Sequence, residues 1–231
     1  MRRLYRAIAS KPAGIILGLV ILTSIFVIAI GSNARIETDL DEYMPQDHPA
    51  FVFSDKAEEE FDIEDSILIV IEHEESIYNH RTLEKIREIS RQLPERFEEI
   101  NADDVTSLYT AENITADELG LTVVAFYREP PSSEKELETL RTATERNEMV
   151  YGRIVSADGK SALIITEIGD EEFSSGFYEE LQSFTGKWDG PETIRIAGRP
   201  VVEGELTKLG PKDMARMAPL VLILIVLIVF V

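Results

Sequence analysis

From Ala13 to Gly31 the chain reads AGIILGLVILTSIFVIAIG, nineteen residues without a charge. As a helix this run is about 28 Å long, close to the roughly 30 Å hydrocarbon core of a bilayer. Twelve of its residues are Ile, Leu, Val or Phe. At about −0.3 to −0.6 kcal/mol each, they favour insertion by roughly 4–7 kcal/mol before the Gly, Ser and Thr offsets. Arg2, Arg3, Arg6 and Lys11 precede the run and acidic sequence follows it. The positive-inside bias therefore predicts a cytoplasmic segment 1–12, a transmembrane helix 13–31, and an outside chain from residue 32. A cleaved signal peptide is the rival reading, and the small residues from Gly31 to Ala34 suit it. The apolar run is longer than the usual core of about 7–15 residues in such peptides, so a retained anchor is expected. Gly14 and Gly18 form a small-xxx-small pair, which either admits a neighbouring helix or is chance.

A second apolar run, MAPLVLILIVLIVFV, covers residues 217–231. Its fifteen residues make about 22 Å of helix, short of the roughly 20 residues a span uses. It is read as the start of a second membrane helix, with the chain a fragment cut inside it. A processed lipid-anchor signal would want small residues and a polar spacer upstream. Lys208, Lys212, Asp213 and Arg216 stand there instead.

Residues 32–216 form the part outside the two runs. The whole chain has net charge −20, but its first 31 residues hold only bases. The remainder holds 19 basic and 43 acidic side chains, a net of −24. That surface repels phosphate backbones and so excludes nucleic acid as a partner. It also repels anionic lipid headgroups. With no cysteine, disulfides and thiolate chemistry are excluded, and the domain must rest on its apolar core.

Within 32–216, residues 32–65 read as a polar connector with one helix-like stretch carrying Phe51, Phe53, Ala57 and Phe61. Ser66–Ile71 (SILIVI) is a continuous apolar run of strand length and reads as a buried strand. Residues 81–98 read as an amphipathic helix. Leu83, Ile86, Ile89 and Leu93 face inward, Glu84, Lys85, Arg87, Glu88 and Arg91 face solvent, and Pro94 ends or kinks it. Val105–Tyr109 suits a second strand, completing a βαβ unit. Residues 121–127 fit a strand or a helix. A helix from Glu134 to about Met149 follows the breaker Pro130–Ser133. Gly152–Ser156 and Ser161–Ile168 flank Asp158-Gly159, a hairpin signal. Phe173, Phe177, Leu181 and Phe184 mark a further helix, and Thr193–Ala197 a last strand. Strands alternating with helices in this order predict an α+β sandwich of the split βαβ, ferredoxin-like kind.

Candidate chemistry is sparse. His73 between Glu72, Glu74 and Glu75 suggests a metal, but neighbouring strand residues point to opposite faces. His48 sits in a turn and His80 starts a helix. Glu58–Glu60, Glu171-Glu172 and Glu179-Glu180 read as solvated helix faces. Trp188 with Phe173, Phe177 and Phe184 reads as core, or else as the lining of an apolar path. Asn113-Ile114-Thr115 fits a glycosylation sequon. There is no phosphate loop. The expectation is a non-enzyme without catalytic, cofactor or metal residues, whose substrate-binding residues are not identifiable from sequence.

Four segments carry a resemblance. Thr38-Asp39-Leu40 with Met44–Pro49 is similar to a "T-D-L … L-P-x-D-x-P" segment. Phe61 with Ser66–Val70 is similar to a first strand, Val155–Leu163 to an "S-x-D-G-x-x-A" hairpin, and Ile196–Val201 to "i-x-G-x-P-v". In this order they resemble the start of a resistance–nodulation–division (RND) transporter. The branch is the hydrophobe/amphiphile exporters, which include large mycobacterial membrane proteins, hopanoid transporters and Patched-like proteins. The resemblance implies that 32–216 is a ferredoxin-like porter domain between two transmembrane helices of a cell-membrane exporter. It implies lipids or other hydrophobic or amphiphilic molecules as substrate, a proton or ion gradient as drive, and the bilayer and further transporter spans or subunits as partners. The chain departs from the family in lacking an acid inside either apolar run, so alone it cannot relay protons by the family mechanism. A membrane-anchored extracytoplasmic binding or sensor module is the alternative.

Overall fold

The computed structural model describes residues 12–33, 48–50, 52–53, 56, 60, 65–117, 120–168, 175–188 and 190–230. The Thr38-Asp39-Leu40 and Met44–Asp47 segments, Phe51, Ala57–Glu59, Phe61, Glu171-Glu172 and Phe173 lie outside them. The chain divides into two compact units, Met1–Glu37 and Thr38–Val231. The first contains α1, Pro12–Asn33, helical without a break over 22 uncharged residues. That is about 33 Å of helix. Counted over residues whose side chains are described, no helix is long and apolar enough to cross a membrane. The backbone of α1 is nonetheless continuous through the positions between.

The second unit runs β1 (Asp65–Glu72), α2 (His80–Arg96), β2 (Glu112–Asp117), β3 (Gly120–Ala125), α3 (Glu134–Glu145), β4 (Ser161–Ile168), α4 (Ser175–Thr185), β5 (Thr193–Ala197) and α5 (Arg199–Phe230). It is an α+β unit with two antiparallel sheets, β4-β1-β5 and the hairpin β2-β3. β1 lies at the centre of the larger sheet. Its Ile67, Ile69 and Ile71 are fully buried on one face, because side chains alternate along a strand. The register sets Thr166, Ile164 and Ala162 of β4 beside them. Leu83, Ile86, Ile89 and Leu93 from α2 and Phe177, Leu181 and Phe184 from α4 complete the same buried cluster. The opposite face, with Leu68, Val70, Leu163 and Ile165, is only half-buried. The apolar run of β1 is thus sealed on one side rather than two.

Several expectations change. Val105–Tyr109 is not a strand. Thr106 alone pairs with Ile165, through two backbone hydrogen bonds of 2.8 Å. The chain then turns because side chains capture the backbone: Ser107 N donates to Thr110 Oγ1 at 2.8 Å, and Tyr109 N to Ser107 Oγ at 3.2 Å. Such local bonds compete with a ladder. The hairpin around Asp158-Gly159 shrinks to one bridge, Val155 with Ala162, although Gly159 does take the positive φ of +66° that the turn requires. Of the two readings for 121–127, the strand holds. α3 stops at Glu145 rather than near Met149, where Asn147 Oδ1 accepts from Met149 N at 3.0 Å. Pro94 lies within α2, which runs on to Arg96.

The root of α5 is built at close quarters. β5 passes into the helix through Gly198 alone, at φ +124°. A Cβ there would lie 2.2 Å from Ser66 O. Arg199 then bonds Glu203 at 2.9 Å and sits 3.5 Å from Asp65. One turn on, Gly204 faces the Tyr178 ring of α4, where a Cβ would lie 2.5 Å from Cγ. Tyr178 donates to Glu205, and burial together with that carboxylate pushes the phenol up to about 12. Gln182 donates to Tyr178 Oη at 3.3 Å and accepts from Lys208 at 2.9 Å. Beyond this clamp α5 continues through Pro211 and Pro219, each of which removes one backbone donor from the helix. The boundary read at residue 216 falls inside this single helix. Replacing Gly198 with Ala is expected to lower stability by at least about 2 kcal/mol, from strain at positive φ plus the clash. Thermal unfolding of the full chain in detergent measures it.

Candidate functional site

A large concavity lies between the hairpin and α3. It is a cavity of about 840 Å³ lined by Glu112, Asn113 and Ile114 of β2, one face of α3, and the following turn to Met149. The helix face is set by period: Lys135, Thr139, Thr142 and Arg146 recur on one side, while Leu140 and Thr144 point into the core. α3 starts where the sequence dictates, at a capping box. Ser133 Oγ accepts from Glu136 N, and Glu136 Oε2 accepts from Ser133 N at 3.2 Å. Those backbone and side-chain bonds to Ser133 hold the Glu136 carboxyl below its ordinary value. At the other end Asn147 Nδ2 donates to Asn113 Oδ1 at 3.1 Å and ties the helix to β2. A second cavity of about 770 Å³ reaches Phe126 and Pro130–Ser133 and shares Lys135, Thr139 and Ala143 with the first. Together they make one trough along α3.

Its floor is small or apolar, with Ala143, Ile114 and Met149. Ile114 is 61 % and Met149 71 % exposed. The rim carries Lys135 and Arg146, and against them Glu112, Glu138 and Glu148. An apolar floor with mixed charge around it has the chemistry to take an amphiphile or an apolar segment. At its far end the Ser132 hydroxyl lies 3.4 Å from His80 Nδ1.

Another polar centre is buried. Lys85 Nζ lies 2.7 Å from Glu192 Oε2, with those side chains 9 % and 0 % exposed. Thr82 Oγ1 donates to the other oxygen at 2.7 Å, and Lys85 also donates to Trp188 O at 2.6 Å. Lys85 is therefore not on the solvent face of α2, as its spacing predicted. Its stem passes the core edge to meet an acid 107 residues away. Burial pushes the Glu192 carboxyl up, but hydrogen bonds from Lys85, Thr82 and the backbone, together with the Lys85 charge, outweigh it and hold the carboxyl below its ordinary value.

The sequence-level candidates are scattered. His73 Nδ1 accepts from Glu75 N at 3.1 Å and Ser76 N at 3.2 Å, which fixes the proton on Nε2. His80 Nδ1 lies 3.1 Å from Pro130 O, so there the proton is on Nδ1. His48 Nδ1 accepts from Ala50 N at 3.2 Å. Among the described residues no group of three His or acidic side chains is placed to hold a metal. Glu180 pairs with Arg96 at 2.7 Å. Phe177 and Phe184 pack on Phe97, with ring centres 5.1 and 5.7 Å apart, and Trp188 meets Phe184 at 6.1 Å. Phe177 and Phe184 are core and Trp188 is half-buried against them, while Phe173 lies outside the described residues. Asn113 is half-buried and bonded to Asn147. Of the trough residues, Ile114 belongs to the Asn113-Ile114-Thr115 sequon, while Thr139, Ala143 and Met149 carry no motif. Only the spacing of residues 135, 139, 142 and 146 hinted at a common face.

Glu192→Gln is expected to cost about 3 kcal/mol at pH 7, because Lys85 is left buried without its counter-charge. In the unaltered chain the folded carboxyl titrates below its ordinary value of 4.5, so its contribution is full above that pH. It is lost as the pH falls through the folded value. Denaturation from pH 7 to pH 3 checks both, since the variant loses less on acidification. Ala143→Trp fills the trough and is expected to weaken binding of a solvatochromic single-chain detergent several-fold, read by fluorescence titration. No protein-family model matches the chain, and no curated protein sequence matches it.

Proposed function

We propose that the chain is the N-terminal portion of an RND-type exporter of lipids or other hydrophobic or amphiphilic molecules. Residues 13–31 form its first span, 32–216 its extracytoplasmic porter domain, and the apolar end of α5 enters the second span. A proton or ion gradient acting on the full-length protein supplies the drive. The observation that carries this reading is the root of α5. The acidic α+β unit passes through one glycine into a helix whose last residues, from Met217, are wholly apolar. A domain clamped to such a helix moves with it as one body.

Sheet order lends support. β5-β1-β4 is antiparallel throughout, and Thr106 bridges the outer edge of β4. With Thr106 taken as the place of a shortened strand, this order favours reading the unit as split βαβ, ferredoxin-like. The 22 uncharged residues of α1 exceed the roughly 20 a span uses. The trough along α3 gives an amphiphile a surface on the outer domain, and transfer needs no covalent step.

Two measurements test this. Ser156→Cys, in a chain with no other thiol, is expected to react with a membrane-impermeant maleimide on intact cells, and Ser10→Cys only after permeabilisation. The reverse pattern rejects the topology. In the full-length protein, Ala143→Trp is expected to cut efflux of an apolar dye several-fold. Unchanged efflux, with the variant folded and in the membrane, rejects the trough as the route.

A further inference from the structure

α5 meets α4 through Gly204 and Lys208. Another side of α5 carries an apolar row. Val202 is 50 %, Leu206 44 % and Leu209 41 % exposed, and their steps of four and three residues put them on one face of the helix. Lys212 and Arg216, both exposed, stand three and seven residues past Leu209 on the same side. A second apolar row belongs to the segment before β1. The described positions from Pro49 to Glu60 are helical, and Phe53 there is 74 % exposed. Phe53, Ala57 and Phe61 recur at steps of four in the sequence, the spacing of one helix face. Two apolar rows of similar length thus belong to one acidic unit, and neither Phe53 nor the α5 row is covered. The chain brings their ends together. The segment ends at Asp65, whose carboxylate lies 3.5 Å from Arg199 at the root of α5.

We propose that the row Val202, Leu206 and Leu209 is the docking face for residues 53–61 of the same chain, laid antiparallel to α5. The tether sets the direction, because the end of the segment is held at the root of the helix. The rows then match nearly step for step, with Phe53 beside Leu209. Reach is sufficient. Leu209 lies about 15 Å along the helix from Arg199. Phe53 is about 10 Å of helix from Glu60, and the five steps from Glu60 to Asp65 add up to about 17 Å. So short a tether holds the segment at a high effective concentration over α5, which no separate partner has. Charge favours the same occupant. Residues 47–65 hold eight acids and one base, Lys56. From Leu206 to Met217 the helix holds Lys208, Lys212 and Arg216 against Asp213 alone. An acidic segment therefore meets a basic stretch, whereas a second copy would bring its own net negative charge. Docked, the segment splints α5 over the turns that lead to Pro211. The inference does not depend on the exporter reading.

The chain's lack of cysteine makes the test direct. Packed helices have axes about 8–10 Å apart, a gap that a short bis-maleimide bridges. The full chain carrying Phe53→Cys and Leu209→Cys, dilute in detergent, is expected to cross-link within one chain, read by mass spectrometry. Both positions are exposed, so the substitutions leave the core intact. The rate is expected to exceed at least tenfold that of Phe53→Cys with Arg153→Cys, which is exposed elsewhere on the same unit. It is also expected to exceed several-fold that of Phe53→Cys with Val202→Cys, the pair a parallel docking would favour. Adding Lys212→Glu and Arg216→Glu reverses the charge of the flank and is expected to slow the Phe53–Leu209 cross-link several-fold. A rate no higher than that of the Arg153 pair overturns the proposal, as does a faster Val202 pair or indifference to the charge reversal. A product that joins two chains overturns it in favour of a second copy. A Phe53→Cys thiol that is shielded from maleimide only when lipid vesicles are added overturns it in favour of the bilayer.

Discussion

Any side chain at residue 198 would occupy space that the Ser66 carbonyl already fills. That exclusion organises the second unit. It lets β5 lie against β1 in register and lets α5 leave the sheet after one residue. Arg199 can then reach both Asp65, at the start of β1, and Glu203 on its own helix. A longer connection would have admitted flexibility between sheet and helix. Gly204 repeats the device one turn later against the Tyr178 ring. Two absent methyl groups thus fix the helix in direction and in rotation.

The buried Lys85–Glu192 pair plays a different part. Most of the unit's ion pairs are exposed and add little to stability. This one spans from α2 to the loop before β5 and is satisfied on nearly every side by Thr82, Trp188 O and backbone. Buried charge with full hydrogen bonding specifies one arrangement more than it adds stability. Gly190 lies against both charged ends, where a Cβ would come within 2.8 Å of the Lys85 nitrogen. The loop is therefore shaped around the pair.

What was legible in the sequence follows from what is local. The continuous apolar run Ser66–Ile71 locates the central strand, and the helical spacing of Leu83, Ile86, Ile89 and Leu93 locates the face packed on it, but an unbroken run does not tell that only the side of Ile67, Ile69 and Ile71 is sealed. The breaker Pro130–Ser133 places the start of α3 at Glu134, because a proline pair cannot continue a helix. Lys85 was misplaced because a helical wheel sorts residues by polarity and cannot see an acid 107 positions away. Val105–Tyr109 was misread because the hydroxyls of Ser107 and Thr110 answer the backbone in place of a ladder. The trough was invisible, being made by 112–114 meeting 135–149, two stretches unremarkable alone. Gly159 and Gly198 have steric reasons of their own, a positive φ at both and the Ser66 carbonyl against the second, while Thr38–Asp47 falls largely outside the described residues.

Pro211 and Pro219 sit just past the clamp and inside the apolar stretch of α5. Each deletes a rung from the helical ladder, so the backbone there is softer than the packed turns before it. Loads on such a rod concentrate where resistance is least. A tilt of the domain would be taken up as gentle curvature at two known points, leaving the Gly204 contact closed.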